Sequence, residues 1–117
     1  MSKELQIVSY EQARRLRELG FDWKVNHWYN SDKSLSNSLN YDDRNDWGLS
    51  TSAPYIALAL KWCRDEKNLF GSVWKVLGNY KASYVPVNED LRFVDLKEDF
   101  DSYEVAESSL LDEILKI

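Results

Sequence analysis

The chain has few of the residues from which disulfides, metal sites and phosphate loops are built. Its 117 residues include one cysteine, one histidine, two prolines and four glycines. A lone Cys63 cannot form an intramolecular disulfide, and one Cys with one His27 gives no metal-ligand spacing. The sequence contains no glycine-rich phosphate loop and no Gly-x-Ser-x-Gly nucleophile elbow. We therefore predict no metal, no cofactor and no catalytic residue set of a familiar kind.

Long hydrophobic runs are also missing. The longest apolar run, residues 53–60, is less than half of the roughly 20 residues needed to cross a bilayer. The first residues, MSKELQIVSYEQ, show no apolar segment of the secretory type. These absences and the single cysteine predict a protein without a membrane segment, located in a reducing cytoplasm of the bacterial type.

Negative charge dominates the last third of the chain. The net charge is −5, and residues 82–117 carry 3 Lys/Arg against 10 Asp/Glu, whereas residues 1–81 carry 12 against 10. An acidic surface repels nucleic-acid phosphates, so this balance disfavours nucleic-acid binding unless the early cations converge. The simpler interpretation is a solvated acidic face.

The helix and strand signals that the chain does contain predict one α+β domain over residues 1–117. The first helix begins at Ser9, with Gln12 completing a capping box, and ends at Gly20. A second helix follows a cap at Thr51 or Ser52 with Pro54 in its first turn. A third begins at Asp101 or Ser102 and runs to the C-terminus. The pentapeptides SYEQA (9–13) and SYEVA (102–106) are interpreted as two similar helix starts rather than a repeated site.

Alternation of apolar residues predicts the strands. Residues 21–29 place every second side chain on one face, and residues 69–77 and 80–87 are predicted to form a hairpin across Gly78–Asn79. Residues 91–96 add a short third strand. The expected fold is three helices packed on a small, mainly antiparallel sheet of three to four strands.

Three segments together resemble a known family. They are SYEQARRLRELGFDW (9–23), SAPYIALALKWCRDEKNLF (52–70) and DSYEVAESSLLDEILKI (101–117). The set is similar to a family of small uncharacterised proteins from phages and mobile elements of gut bacteria, and it spans about half of the chain. Trp62-Cys63-Arg64 departs from the family, where Leu is more usual after the Trp. The resemblance implies an α+β fold and a mobile-element origin, and it implies no activity.

The segment from 30 to 52 is predicted to be a long polar loop bordered by aromatic residues. It is rich in Ser, Asn and Asp, and long connections in compact domains are usually functional or disordered. Aromatic side chains set among small polar residues are typical of recognition surfaces. We therefore predict a partner-binding site formed by Trp28, Tyr29, Tyr41 and Trp47. The alternative is that Trp28 and Trp47 pin the loop to the core.

Three functions follow as hypotheses. The first is a small non-enzymatic interaction protein of a phage or mobile element, which binds a protein partner as a monomer or homodimer. The second is a nucleic-acid-binding accessory protein, which requires cations to converge beside the aromatic residues; the candidates are Arg14, Arg15, Arg17, Lys24, Lys33 and Arg44. The third is a small enzyme that uses His27.

Overall fold

The computed structural model describes residues 6–46, 48, 50–86, 94–96 and 98–116. It is an α+β fold with three helices and two antiparallel three-stranded sheets, which confirms the predicted fold class. The elements, in chain order, are α1 Tyr10–Glu18, β1 Val25–Tyr29, β2 Leu35–Asp42, a 3₁₀ helix Arg44–Asp46, β3 Thr51–Ser52, α2 Ile56–Lys67, β4 Leu69–Val76, β5 Asn79–Pro86, β6 Val94–Asp95 and α3 Tyr103–Leu115.

The chain divides into two compact units, Met1–Ala59 and Leu60–Ile117, and the boundary falls inside α2. We call them the first and the second unit. The prediction of a single domain stays a prediction. None of the described helices is long and apolar enough to cross a membrane.

Helix α1 of the first unit begins and ends as the sequence predicts. Ser9 Oγ accepts from Gln12 N at 3.1 Å and Gln12 Oε1 accepts from Ser9 N at 2.9 Å, which completes the capping box. At the other end Gly20 has a φ of +96°. Its N–H donates to Arg17 O and the next N–H, of Phe21, donates to Leu16 O, a Schellman termination that favours glycine.

The sheet of the first unit has the strand order β2-β1-β3 and is antiparallel throughout. The prediction of a loop over 30–52 is therefore wrong for most of that segment, which contains β2, the 3₁₀ helix and β3. Asn and Ser have low β propensity, so their abundance hid a strand whose formation depends on pairing with β1. The predicted strand over 21–29 is shorter in the structure and begins at Val25.

Helix α2 begins later than predicted, at Ile56. Thr51 and Ser52 are not its caps, because they form β3 against β1. Pro54 O accepts from Val8 N at 3.0 Å, and Ile56 N donates to Gln6 O at 2.7 Å. These two bonds keep the chain extended through Pro54. The helix therefore starts only after Pro54, at Ile56.

The second unit is built on a hairpin with α3 against one face. Strands β4 and β5 pair from Leu69 opposite Pro86 to Val76 opposite Asn79, and β6 pairs with β5. The turn is Leu77–Gly78 rather than the predicted Gly78–Asn79, with φ values of +48° and +94°. Both central residues of such a tight turn take positive φ, which suits the twist of the strands. Residues 91–93 of the predicted third strand lie outside the described residues.

Helix α3 supplies the apolar core of the second unit. Its N-cap is Ser102, whose Oγ accepts from Val105 N at 3.2 Å. Gly71 on β4 lies directly beneath it, since a Cβ there would stand 2.7 Å from Leu110 Cδ2. The buried apolar residues of this layer are Ala82, Ala106, Leu110, Leu111, Ile114 and Leu115.

Candidate functional site

Trp28, the first residue of the predicted site, is fixed by neighbours within the first unit. Its indole Nε1 donates to Asn30 Oδ1 at 3.1 Å. The guanidinium carbon of Arg44 lies 3.9 Å from the centroid of the Trp28 ring. Arg44 is itself only 6% exposed, so the pair is a partly desolvated cation–π contact. This environment is that of a structural residue that holds the 3₁₀ helix against β1.

Tyr29, the second predicted residue, ties β1 to the start of α1. Its hydroxyl donates to Val8 O at 2.7 Å. Its ring meets the ring of Tyr10 edge to face, with centroids 5.5 Å apart. Partial burial raises the pKa of the Tyr29 hydroxyl. Both the polar and the apolar part of this side chain are therefore engaged within the fold.

Tyr41 and Trp47 complete the predicted set. Tyr41 lies on β2 with 59% of its surface exposed. Trp47 lies outside the described residues. Of the three predicted residues that the structure describes, Tyr41 alone presents most of its surface to solvent. A partner-binding role for these residues stays a prediction.

Two leucines that the sequence reasoning missed lie near Tyr41 along β2. Leu39 is 98% exposed and Leu35 is 46% exposed. We call Leu35, Leu39 and Tyr41 the apolar edge, because β2 is an edge strand of its sheet. The available signal was the spacing of apolar residues at 35, 39 and 41, which fits one side of a strand.

A bulge in β2 carries the outer part of the apolar edge. His27 faces Asn37 and Val25 faces Asp42. Two steps along β1 therefore correspond to five steps along β2, so residues 38–41 arch away from the regular ladder. Bulges of this kind re-aim side chains and recur near functional sites.

Both ends of β2 are anchored by polar side chains. At the β1–β2 turn, Asn30 Nδ2 donates to Ser36 Oγ at 2.7 Å. In the same turn Asp32 Oδ1 accepts from Ser34 N at 3.0 Å and from Ser34 Oγ at 2.6 Å. The hydroxyl bond is the larger cause that lowers the pKa of the Asp32 carboxyl.

Asn45 anchors the other end of β2 through the 3₁₀ helix. Its Nδ2 donates to Phe21 O at 2.8 Å, and its Oδ1 accepts from Ser52 N at 2.8 Å. The backbone N–H of Asn45 donates to Ser52 Oγ at 3.1 Å. This one amide side chain joins three segments of the first unit, so the bulged strand between the two anchors is held in place.

The structure places His27 and Cys63 in surroundings unlike those of an activated catalytic pair. The described contacts of the His27 ring are a hydrogen bond between Nδ1 and Asn26 Oδ1, at 2.9 Å, and an edge contact with Tyr55, at 5.7 Å. Cys63 is buried, and burial raises the pKa of its thiol to about 11. A thiol with this pKa is protonated at neutral pH and is a poor nucleophile. Within the described ranges no cluster of three or more His, Cys, Asp or Glu can hold a metal ion.

Several of the early cations already have partners inside the first unit. Arg17 donates to Ser50 O and Gly48 O, each at 3.0 Å. Arg15 pairs with Glu18 at 3.3 Å, and Lys33 lies 5.3 Å from the centroid of the Tyr10 ring. Arg44 stacks on Trp28, so each of these cations contacts a different neighbour. They provide no support for a positive groove beside the aromatic residues.

No protein-family model matches the chain, and neither does any curated protein or solved structure. The resemblance to mobile-element proteins therefore stays a prediction, and the function rests on the geometry described above.

Proposed function

We propose that this is a small non-enzymatic protein-binding protein and that the apolar edge contacts its partner. One observation carries the proposal: Leu39 and Tyr41, at 98% and 59% exposure, project from an edge strand whose two ends are anchored. Exposed apolar side chains gain about 25 cal/mol for each Å² that a partner covers. Tyrosine is enriched among the residues that dominate such interfaces.

The bulge favours recognition through side chains over the addition of a partner strand. A regular exposed edge offers a row of free N–H and C=O groups to any other strand, and proteins often interrupt such edges with bulges. In β2 the bulge interrupts the regular ladder at residues 38–41, and residues 39–41 are exposed. A rigid, irregular apolar surface of this type suits one complementary partner better than many.

The proposal extends to origin, cellular location and oligomeric state. A phage or mobile-element protein acting in the bacterial cytoplasm, as a monomer or homodimer, remains our expectation. A homodimer formed through the apolar edge is one form that the proposal can take, with a second copy as the protein partner.

Capture of a partner from a bacterial host lysate, with the full chain as bait, tests the proposal. We expect one protein to be enriched by the wild type and reduced about tenfold or more by Leu39→Ser/Tyr41→Ser, because truncating central interface residues costs on the order of 1–2 kcal/mol each. Leu77→Ser is the matched control, since Leu77 is also fully exposed but lies on the β4–β5 turn.

Two results would contradict the proposal. Equal recovery of the same partner by all three baits would place the interface elsewhere. Turnover found in a small-molecule screen, with no enriched protein, would show that the chain is an enzyme. Sedimentation of the wild type and of the double variant identifies self-association, which the double variant should abolish if the partner is a second copy.

A further inference from the structure

The second unit contains a half-open cavity of about 430 Å³, lined by residues of β5, β6, the segment that follows β6, and α3. This volume lies in the range of roughly 300–1,000 Å³ that is usual for small-molecule sites. Four side chains give the cavity apolar walls, two of them aromatic: Tyr84, Val94, Leu96 and Phe100.

Negative charge dominates the rest of the lining. Among the described residues that line it, four are carboxylates, Asp95, Glu98, Asp112 and Glu113, and one is a cation, Lys116. Lys116 Nζ donates to Glu113 Oε1 at 3.0 Å, and its charge also interacts with Asp112. One cation among four described carboxylates leaves this lining net negative. The carboxylates come from both sides of the cavity, Asp95 and Glu98 from the strand side and the other two from α3.

A concave site of this composition selects a cation with an apolar body. Like charges lining a cleft with low-dielectric walls strengthen the local potential and attract the opposite charge. Aromatic walls add an attraction for ammonium and guanidinium groups and cover an apolar stem. A bare metal ion would gain nothing from the apolar walls, and no metal-binding cluster occurs in the part of the chain that the structure describes.

We propose that this cavity binds an amphipathic organic cation, a primary ammonium or guanidinium group carried on an aliphatic or aromatic stem. Two sources supply this chemistry: a free amine, or the Lys or Arg side chain of a bound peptide. The site lies in the second unit and is independent of the apolar edge, so its test does not depend on the protein partner.

Titration calorimetry on the full chain, with probes that share one stem, tests the charge preference. The probes are 3-phenylpropylamine as the cation, 3-phenyl-1-propanol as the neutral analogue and 3-phenylpropanoate as the anion. We expect the cation to bind at least tenfold more tightly than the alcohol and the anion to show no binding, with the preference falling as salt is raised. A capped Gly-Arg-Gly tripeptide is the peptide arm, and comparison of its affinity with that of the free amine identifies the source.

Two sets of variants locate the binding. Asp95→Asn/Glu98→Gln should weaken the cation about tenfold, while the alcohol is unaffected, because partly exposed charge pairs contribute a few-fold each. Glu66→Gln is the control, since Glu66 is an exposed carboxylate of α2 that does not line the cavity. Ser109→Phe, which fills the cavity from α3, should reduce binding of every probe, with folding checked by circular dichroism.

The outcomes are distinct. Equal affinity for cation and alcohol, no binding of any probe at millimolar concentration, or cation binding that survives both Asp95→Asn/Glu98→Gln and Ser109→Phe would each overturn the proposal. Binding of the amine alone, of the tripeptide alone, or of both supports it and names the source.

Discussion

The two three-stranded sheets are held together in different ways. In the first unit, polar side chains outside the regular strands join distant backbone segments, as Asn45 does between Phe21 and Ser52. In the second unit, the apolar side chains of α3 cover β4 and β5, with Leu110 and Ile114 packed over Gly71. The first unit also has an apolar core, with Leu16, Phe21 and Val25 among its buried residues. The contrast therefore lies in the long-range polar bonds that the first sheet adds to its apolar packing.

The difference also explains why one sheet was easier to predict than the other. Apolar packing leaves a periodic pattern in the sequence, whereas a hydrogen bond from one amide side chain to a backbone group 24 residues away leaves none. The predictions below test the comparison, beginning with the largest expected loss of stability.

Leu110→Ala should produce the largest effect, because it opens a cavity beneath α3. A buried Leu→Ala substitution costs about 2–5 kcal/mol in the free energy of unfolding. Leu77→Ala, at a leucine that is 101% exposed, is the control and should cost close to nothing from lost packing. Denaturant unfolding measures both, and a Leu110→Ala loss as small as that of the control would show that α3 does not supply the core of the second unit.

Asn45→Ala should destabilise the first unit by about 1–3 kcal/mol. The substitution leaves Phe21 O and Ser52 N without the bonds that Asn45 gives them, and unsatisfied buried backbone groups carry a cost of this order. Asn45→Asp keeps the acceptor for Ser52 N and should lose less.

Asn40→Ala is the matched control for Asn45, since Asn40 is exposed on β2. Amide hydrogen exchange adds a local measurement: Asn45→Ala should speed exchange at Ser52 more than at residues of α3. If the two asparagine variants are equally stable, the polar anchors are not what holds the first sheet.

The helix starts offer a smaller contrast. Ser9→Ala should cost about 1 kcal/mol, because a capping box with two bonds is lost. Ser102→Ala should cost less, since Ser102 accepts one bond from Val105 N at 3.2 Å. Gln12→Ala removes only the reciprocal bond of the box. In that background the stability lost by Ser9→Ala should come closer to the stability lost by Ser102→Ala. Equal losses for Ser9→Ala and Ser102→Ala would show that the shared SYE motif, and not the box, sets the stability.

Much of the fold could be predicted from residues that act locally. The capping box of Ser9 with Gln12 and the helix end at Gly20 both follow from short-range rules, and the structure agrees. The β2 strand could not be predicted, because its Asn and Ser residues gain their extended conformation by pairing with β1. The predicted start of α2 was wrong for a similar reason. Backbone hydrogen bonds of residues 54 and 56 with Val8 and Gln6, far away in the sequence, keep the chain extended before the helix.

The candidate site shows the same limit. Tyr41 was singled out for its aromatic ring and is exposed, but Trp28 and Tyr29 were singled out by the same criterion and are engaged with Arg44, Val8 and Tyr10. Composition identifies aromatic residues near a polar segment, whereas long-range contacts decide which of them face solvent. Leu39 could not be singled out from the sequence, because a single leucine among polar residues does not show whether its side chain is buried or exposed.

The smallest effect should come from the β1–β2 turn, at the Asp32 carboxylate, which is one of the two polar anchors there. Hydrogen bonds from the Ser34 hydroxyl and backbone lower the pKa of the Asp32 carboxyl below its ordinary value. A carboxyl whose pKa is lower in the folded chain stabilises the fold above its ordinary pKa, and this contribution fades as pH falls through the folded value. Carbon-13 NMR titration should therefore show Asp32 ionising at a lower pH than a carboxyl in an unstructured peptide. Ser34→Ala should raise the Asp32 pKa part of the way back, since the Ser34 backbone N–H bond is kept, and Ser31→Ala should leave it unchanged. An unchanged Asp32 titration in Ser34→Ala would show that the hydroxyl is not the cause.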